Sequence, residues 1–201
     1  MSSPLAAELL ATFGLVFFGT GAVVTEAGRL GVGLVFGFVV VGMMRAFGTV
    51  HMNPAVSIAL LGRKAGPHVA AQLAGAALAS LVLKVLFPQS ASLGATVPAG
   101  PVWQSFVLEL VMTYFLMRTV LGGDVHAIGL VVAVEAIMGG PVSGASMNPA
   151  RSFGPALLSG AWTAHWVYWT APIAGALLAS ALPGAGSRHG RPLPAPAAPA
   201  A

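Results

Sequence analysis

Apolar residues in this chain come in long runs, and the polar positions that interrupt them fall in short breaks. The first run extends from about Leu5 to Thr25, behind Ser3-Pro4, a pairing that suits an N-cap and the first helical residue. Glu26-Ala27-Gly28-Arg29 interrupts it, and a second run covers about Gly31 to Gly48. Further runs cover about His68 to Phe87, Pro101 to Leu121, Val125 to Val142 and Trp162 to Leu182. Each is close to the roughly 20 residues that a helix needs to cross the hydrocarbon core of a bilayer. The pattern therefore predicts an all-α membrane protein with six spans. Two shorter apolar pieces, Asn53–Leu61 and Asn148–Leu158, are too short for a span and too apolar for a loop, and each predicts a half-helix. Residues 1–183 read as a single domain, and 184–201, dominated by Pro and Ala, as a disordered tail.

The two halves repeat. Glu8-Leu9-Leu10-Ala11-Thr12 meets Glu109-Leu110-Val111-Met112-Thr113, and Met52-Asn53-Pro54-Ala55 meets Met147-Asn148-Pro149-Ala150. Ala71-Gly75-Ala79 meets Ala171-Gly175-Ala179, stripes of small residues that let helices approach closely. Repeat one covers about 5–87 and repeat two about 101–183, with three spans in each. An odd number of spans inverts the second half, so the two short segments dip into the membrane from opposite faces.

Composition narrows the function classes. Hydrophobic residues make up 57% and charged residues 7%, against about 25% charged in a soluble domain. That excludes a soluble enzyme and a nucleic-acid binder. The net charge of +4 reads as loop orientation. With the N-terminus inside, Arg63, Lys64, Arg118, Arg188 and Arg191 fall on the cytoplasmic side, and Arg29 and Lys84 outside. Both termini are then cytoplasmic. Cys is absent, and no cluster with metal-ligand spacing, phosphate loop or cofactor motif stands in the sequence.

Asn53 and Asn148 each precede a Pro, which suits an N-cap and the first helical position. Half-helices entering from opposite faces bring two N-termini together near the midplane, each with about half a positive charge. Their carboxamides offer N–H groups to a passing oxygen. Such a spot favours neutral oxygen-bearing solutes and repels cations.

With its paired Asn-Pro-Ala motifs in matching places, the chain resembles the aquaporin (major intrinsic protein) family over about residues 5–183. Around the second motif, Gly140 to Ser152 is similar to bacterial and nodulin-like members. The resemblance implies an aquaporin-like bundle that conducts water and small neutral solutes and excludes ions. It also implies a homotetramer in the lipid bilayer, here a bacterial inner membrane, with no cofactor and no nucleic-acid partner. Asn53, Pro54, Ala55, Asn148, Pro149 and Ala150 carry over as the pore motifs. Arg151, Ala136, Ala145 and, across a gap, Phe36 carry over as the selectivity filter. His51 carries over as an inner-vestibule residue, and Glu8 and Glu109 as buried carboxylates that hold the dipping backbone. The chain departs from the family before His51, where the usual Ser-Gly is missing, and at Arg45, Arg118 and Glu135; Glu135 is expected to bind loop backbone or edge the pore. The solute stays open between water, glycerol-like molecules and metalloid hydroxides. Two other classes share parts of the pattern. An ion-coupled secondary transporter also uses inverted repeats, and a non-conducting scaffold follows if the shortened first dip closes the pore.

Overall fold

Ser3 accepts a hydrogen bond from the Ala6 N–H (3.2 Å), and helix α1 runs from there over Pro4–Val24. In the computed structural model, which describes residues 3–182, seven more helices follow. They are α2 (Gly28–Phe47), α3 (Pro54–Leu61), α4 (Gly66–Leu86), α5 (Val102–Gly122), α6 (Val125–Ser143), α7 (Pro149–Ser159) and α8 (Val167–Ala181). The tail expected over 184–201, with Arg188 and Arg191, lies outside the described residues.

The elements fall where the apolar runs predict, with two differences. The break at Gly62 to Pro67 is not a loop; a 3-10 turn over Gly62–Ala65 leads straight into α4. The sixth long run starts its helix late, at Val167, and α8 has only 15 residues. Ala164 sits at φ 49°, a left-handed conformation that a right-handed helix cannot run through. Among the described residues, α1, α2, the α3–α4 stretch, α5 and α6 have the length and apolarity to cross a membrane; α8 is a shorter apolar helix.

Helix α1 packs on α4 and α2, and α5 packs on α8 and α6 in the same way. Helix α4 receives α7, and α8 receives α3, while α2 meets α6. Mapping the first half onto the second exchanges these pairings among themselves, as a pseudo-two-fold axis requires. Gly75 lies against the Leu9 carbonyl, and Gly175 against the Leu110 carbonyl, so closely that a Cβ at either would collide with backbone oxygen. The small-residue stripes are thus the seams of α1–α4 and α5–α8. Polarity runs inside out: Phe38, Val85, Trp103 and Leu130 are exposed on the exterior, while Glu8, Gln72, Glu109 and Arg151 are buried. In lipid that is the favourable arrangement, because every interior polar group must find its partner within the protein.

Candidate functional site

The two short helices begin alike. Asn53 and Asn148 both have φ −153°, each followed by Pro at the first helical position. Asn53 Oδ1 accepts from the Ala55 N–H (2.9 Å), and Asn148 Oδ1 from the Ala150 N–H (3.0 Å) and the Arg151 N–H (3.3 Å). Turning the oxygen back onto its own helix sends the amide nitrogen away from it. Asn53 Nδ2 donates to the Met147 carbonyl (2.8 Å), and Asn148 Nδ2 to the Met52 carbonyl (2.7 Å). Each dipping segment is therefore pinned by the other. A carboxamide has two N–H donors, so each Asn keeps one more for a passing solute.

The approach to each helix is strained in the same way. Met52 and Met147 both have φ 54°, a conformation that costs an L-residue roughly 1–2 kcal/mol. A buried carboxylate holds each turn. Glu8 accepts from the N–H groups of His51 and Met52, both at 2.8 Å. Glu109 accepts from those of Ser146 (2.8 Å) and Met147 (2.6 Å). Gln72 adds a third bond to Glu8, and Ser143 a third to Glu109. Each carboxylate thus takes two backbone N–H groups of a dipping segment.

Two cavities adjoin at one residue. The larger, about 590 Å³, is lined by Arg45, Gly48 and Gly123, by His51, Asn53 and Asn148, and by Phe36, Ala145 and Arg151. Residues 48–50 line it, so the shortened stretch before Asn53 borders open space. The smaller, about 350 Å³, is lined by Val23, Arg29, Ala136 and Arg151 among others. Arg151 is the residue that the two linings share. Its guanidinium carbon stands 5.1 Å from the centre of the Phe36 ring, a cation–π contact, and its Nη1 donates to the Gly94 carbonyl (2.8 Å). Of the four expected filter residues, Phe36, Ala145 and Arg151 line the larger cavity, and Ala136 and Arg151 the smaller.

Several participants carry no signal in the sequence. Gly94 belongs to an ordinary small-residue loop, yet its carbonyl fixes Arg151. Gln72 donates to both Glu8 Oε2 (2.9 Å) and Ser57 Oγ (2.8 Å). Glu8, His51 and His68, far apart in the chain, come together in space as a set of possible metal ligands, where the sequence suggests none. Glu135 does neither of the things expected of it. It is buried, lines neither cavity, and its Oε2 has no hydrogen-bond partner. Arg118 reaches the Ala179 carbonyl only at 3.5 Å.

The sequence profile described as major intrinsic protein matches residues 2–182. The chain is similar to aquaporin NIP1-4 of Oryza sativa subsp. japonica, with 41% identity over 197 residues, 86% of this chain and 72% of the relative. It is also similar to nodulin-26 of Glycine max, 37% identical over 199 residues, 86% of this chain and 73% of the relative. The aquaglyceroporin from Plasmodium falciparum shares the fold, with a TM-score of 0.74 at 23% identity over 88% of this chain and 92% of that one. These relatives include plant proteins, and they lend the expected bacterial inner membrane no support.

Proposed function

Since this chain belongs to the major intrinsic protein family, a family of membrane channels and not of enzymes, we propose that it is a passive, multi-pass membrane channel for water and small neutral solutes. The observation that carries this reading is the pair of cavities meeting at Arg151, with the Asn53 and Asn148 amides on the larger one. A solute oxygen at the midplane accepts from the two free amide hydrogens. Cations meet the positive ends of α3 and α7 and then the Arg151 guanidinium. Phe36, Ala136, Ala145 and Arg151 form the filter in this reading. Two alanines leave one side of it wide, which favours glycerol-like solutes and metalloid hydroxides alongside water. The names of the aquaglyceroporin and aquaporin relatives agree with that choice. Residues 1–183 act as one channel domain, a protomer of a homotetramer embedded in lipid, with both termini on the cytoplasmic side as the Lys and Arg distribution favours.

Stopped-flow light scattering on proteoliposomes tests the proposal. Sucrose shock and glycerol influx should both be faster than in empty liposomes, linear with gradient, and indifferent to sodium and pH. Saturating flux that follows an ion gradient would make the protein a coupled transporter. No flux from correctly inserted protein would leave a scaffold. Ala136→His with Ala145→Thr should then slow glycerol much more than water; equal slowing of both would remove these positions from the filter.

A further inference from the structure

Beyond the pore contacts, three side chains converge beneath the first dipping segment. Glu8 on α1, His51 ahead of α3 and His68 in the first turn of α4 present a carboxylate oxygen and two imidazole nitrogens within 4.8 Å of one another. His51 Nδ1 lies 3.7 Å from Glu8 Oε1, and His68 Nδ1 lies 3.5 Å from the same oxygen. The two rings stack at 5.9 Å with an angle of 27° between their planes. These nitrogen–oxygen distances are long for good hydrogen bonds. They are close to the separation of two ligands on one tetrahedral zinc ion, about 3.3–3.6 Å for bonds of about 2.0–2.2 Å.

We propose that Glu8, His51 and His68 form a binding site for a divalent transition-metal ion of the zinc type, and that its occupation restricts the pore.

The donor set, two imidazoles and one carboxylate, is zinc chemistry; magnesium and calcium prefer more oxygen ligands. The site is held before any ion arrives. The His51 N–H fixes Glu8 Oε1, and the Met52 N–H and Gln72 fix Oε2, so the carboxylate cannot swing away. Outer contacts of this kind orient metal ligands and raise affinity. Ser57 Oγ accepts from Gln72 and stands 2.9 Å from His51 Nδ1. Its hydroxyl proton can rotate away from that nitrogen, and an imidazole that keeps its hydrogen on Nε2 then presents the Nδ1 lone pair to the ion, the neutral form that a metal requires. Access is open, since the His68 side chain is 26% exposed and that of His51 13%. His51 also lines the larger cavity. A dication there adds positive charge beside the path and ties the cavity wall to α1 and α4. The restriction of flux rests on the channel reading; the binding does not.

The test uses the full-length chain purified without a histidine tag. Calorimetry in detergent with zinc chloride should show one ion per chain, and magnesium chloride should show none. His68→Ala, a half-exposed change outside the pore, should weaken zinc binding at least roughly tenfold and leave flux in the absence of zinc unchanged. His126→Ala, at an exposed turn, should change nothing. In proteoliposomes zinc should slow sucrose-driven shrinkage of wild type and not of His68→Ala. Equal zinc affinity in wild type and His68→Ala, or no binding by wild type, overturns the site. Zinc bound at the site with flux unaltered overturns the restriction. Calorimetry needs no transport, so a failed channel reading and a failed metal site are distinguishable.

Discussion

The two dipping segments have the same backbone and different chemistry. Met52 and Met147 share φ 54°, Asn53 and Asn148 share φ −153°, and each pair of preceding N–H groups ends on a buried Glu. One contact recurs even where the residues differ: His51 Nδ1 meets Ser57 Oγ at 2.9 Å, and Ser146 Oγ meets Ser152 Oγ at 2.5 Å. Yet Arg151 has Val56 as its counterpart, and Ser146 has His51. The bilayer dictates the shared part, because irregular backbone at membrane depth must be satisfied on both sides of the axis. The unshared part sets the two segments apart, with a cation on the second and none on the first.

The largest effect should come from breaking the shared part. Glu8→Ala and Glu109→Ala each leave two buried backbone N–H groups without an acceptor, at about 1–3 kcal/mol apiece, and release a left-handed Met. Both variants should lose roughly 2–6 kcal/mol from these N–H groups, less about 1–2 kcal/mol of strain that the freed Met sheds, read as a large drop in the unfolding midpoint in detergent. Near-equal losses are the point. A tolerated change at one Glu and collapse at the other would show that the two halves are not held by the same device.

Breaking the unshared part should act on flux. Arg151→Val gives the second half the residue of the first and removes the charge that both cavities share. Two unit charges about 4 Å apart interact by roughly 4 kcal/mol at an effective dielectric of about 20, and a third of that is tenfold in a rate. Glycerol flux should rise several-fold relative to water, with a small cation leak, because the helix ends still stand at the midplane. A pH-sensitive dye in proteoliposomes under a potassium–valinomycin potential reads the leak. Unchanged selectivity and leak in a well-inserted variant would put Arg151 outside the path.

Glu135 is a difference with no gain to either half. Its repeat counterpart, Val39, is buried and apolar, whereas the Glu135 carboxyl leaves Oε2 buried and unpartnered. Glu135→Val should raise stability by about 1–2 kcal/mol and leave flux unaltered. A loss of flux instead would assign this carboxyl a task in conduction.

What the sequence disclosed follows the same division. Asn-Pro-Ala, the paired Glu and Arg151 were legible because few residues can cap a half-helix, accept two N–H groups in lipid or hold a charge beside a motif. Phe36 lay within reach once the helix bearing it was aligned. The Gly94 carbonyl under Arg151 was not legible, since any residue supplies a carbonyl and only the path of the loop brings this one into place. Nor was the meeting of Glu8 with His51 and His68, 43 and 60 residues further along the chain; no local spacing records a contact among three elements. The late start of α8 depended on one residue, Ala164, whose left-handed backbone its side chain does not favour.

The smallest effect concerns how the equivalent helices α2 and α6 begin. Asp124 caps α6, its Oδ1 accepting from the N–H groups of His126 (2.8 Å) and Ala127 (3.3 Å), while Ala27 precedes α2 with no side-chain cap. The Ala127 and His126 N–H groups hold the Asp124 carboxyl below its ordinary range, with a lesser pull from the His126 ring and Arg45. A carboxyl whose folded pKa is lowered stabilises the fold above its unfolded value of about 3.9. That contribution fades as pH falls below this value and is gone once the folded carboxyl is itself protonated. Asp124→Ala should therefore lower the unfolding midpoint slightly at neutral pH. The charge-dependent part of that difference should shrink below about pH 4, leaving only what a neutral oxygen still contributes as a cap. The side chain is exposed and screened, so the shift should lie near the resolution of a melting curve. Ala27→Asp should bring no comparable gain, because Ala27 has ψ 4° where Asp124 has the extended ψ 111° from which a side chain caps. If the Asp124→Ala difference persists undiminished in acid, the cap works through the oxygen's geometry alone, and charge is not part of what distinguishes the two helix starts.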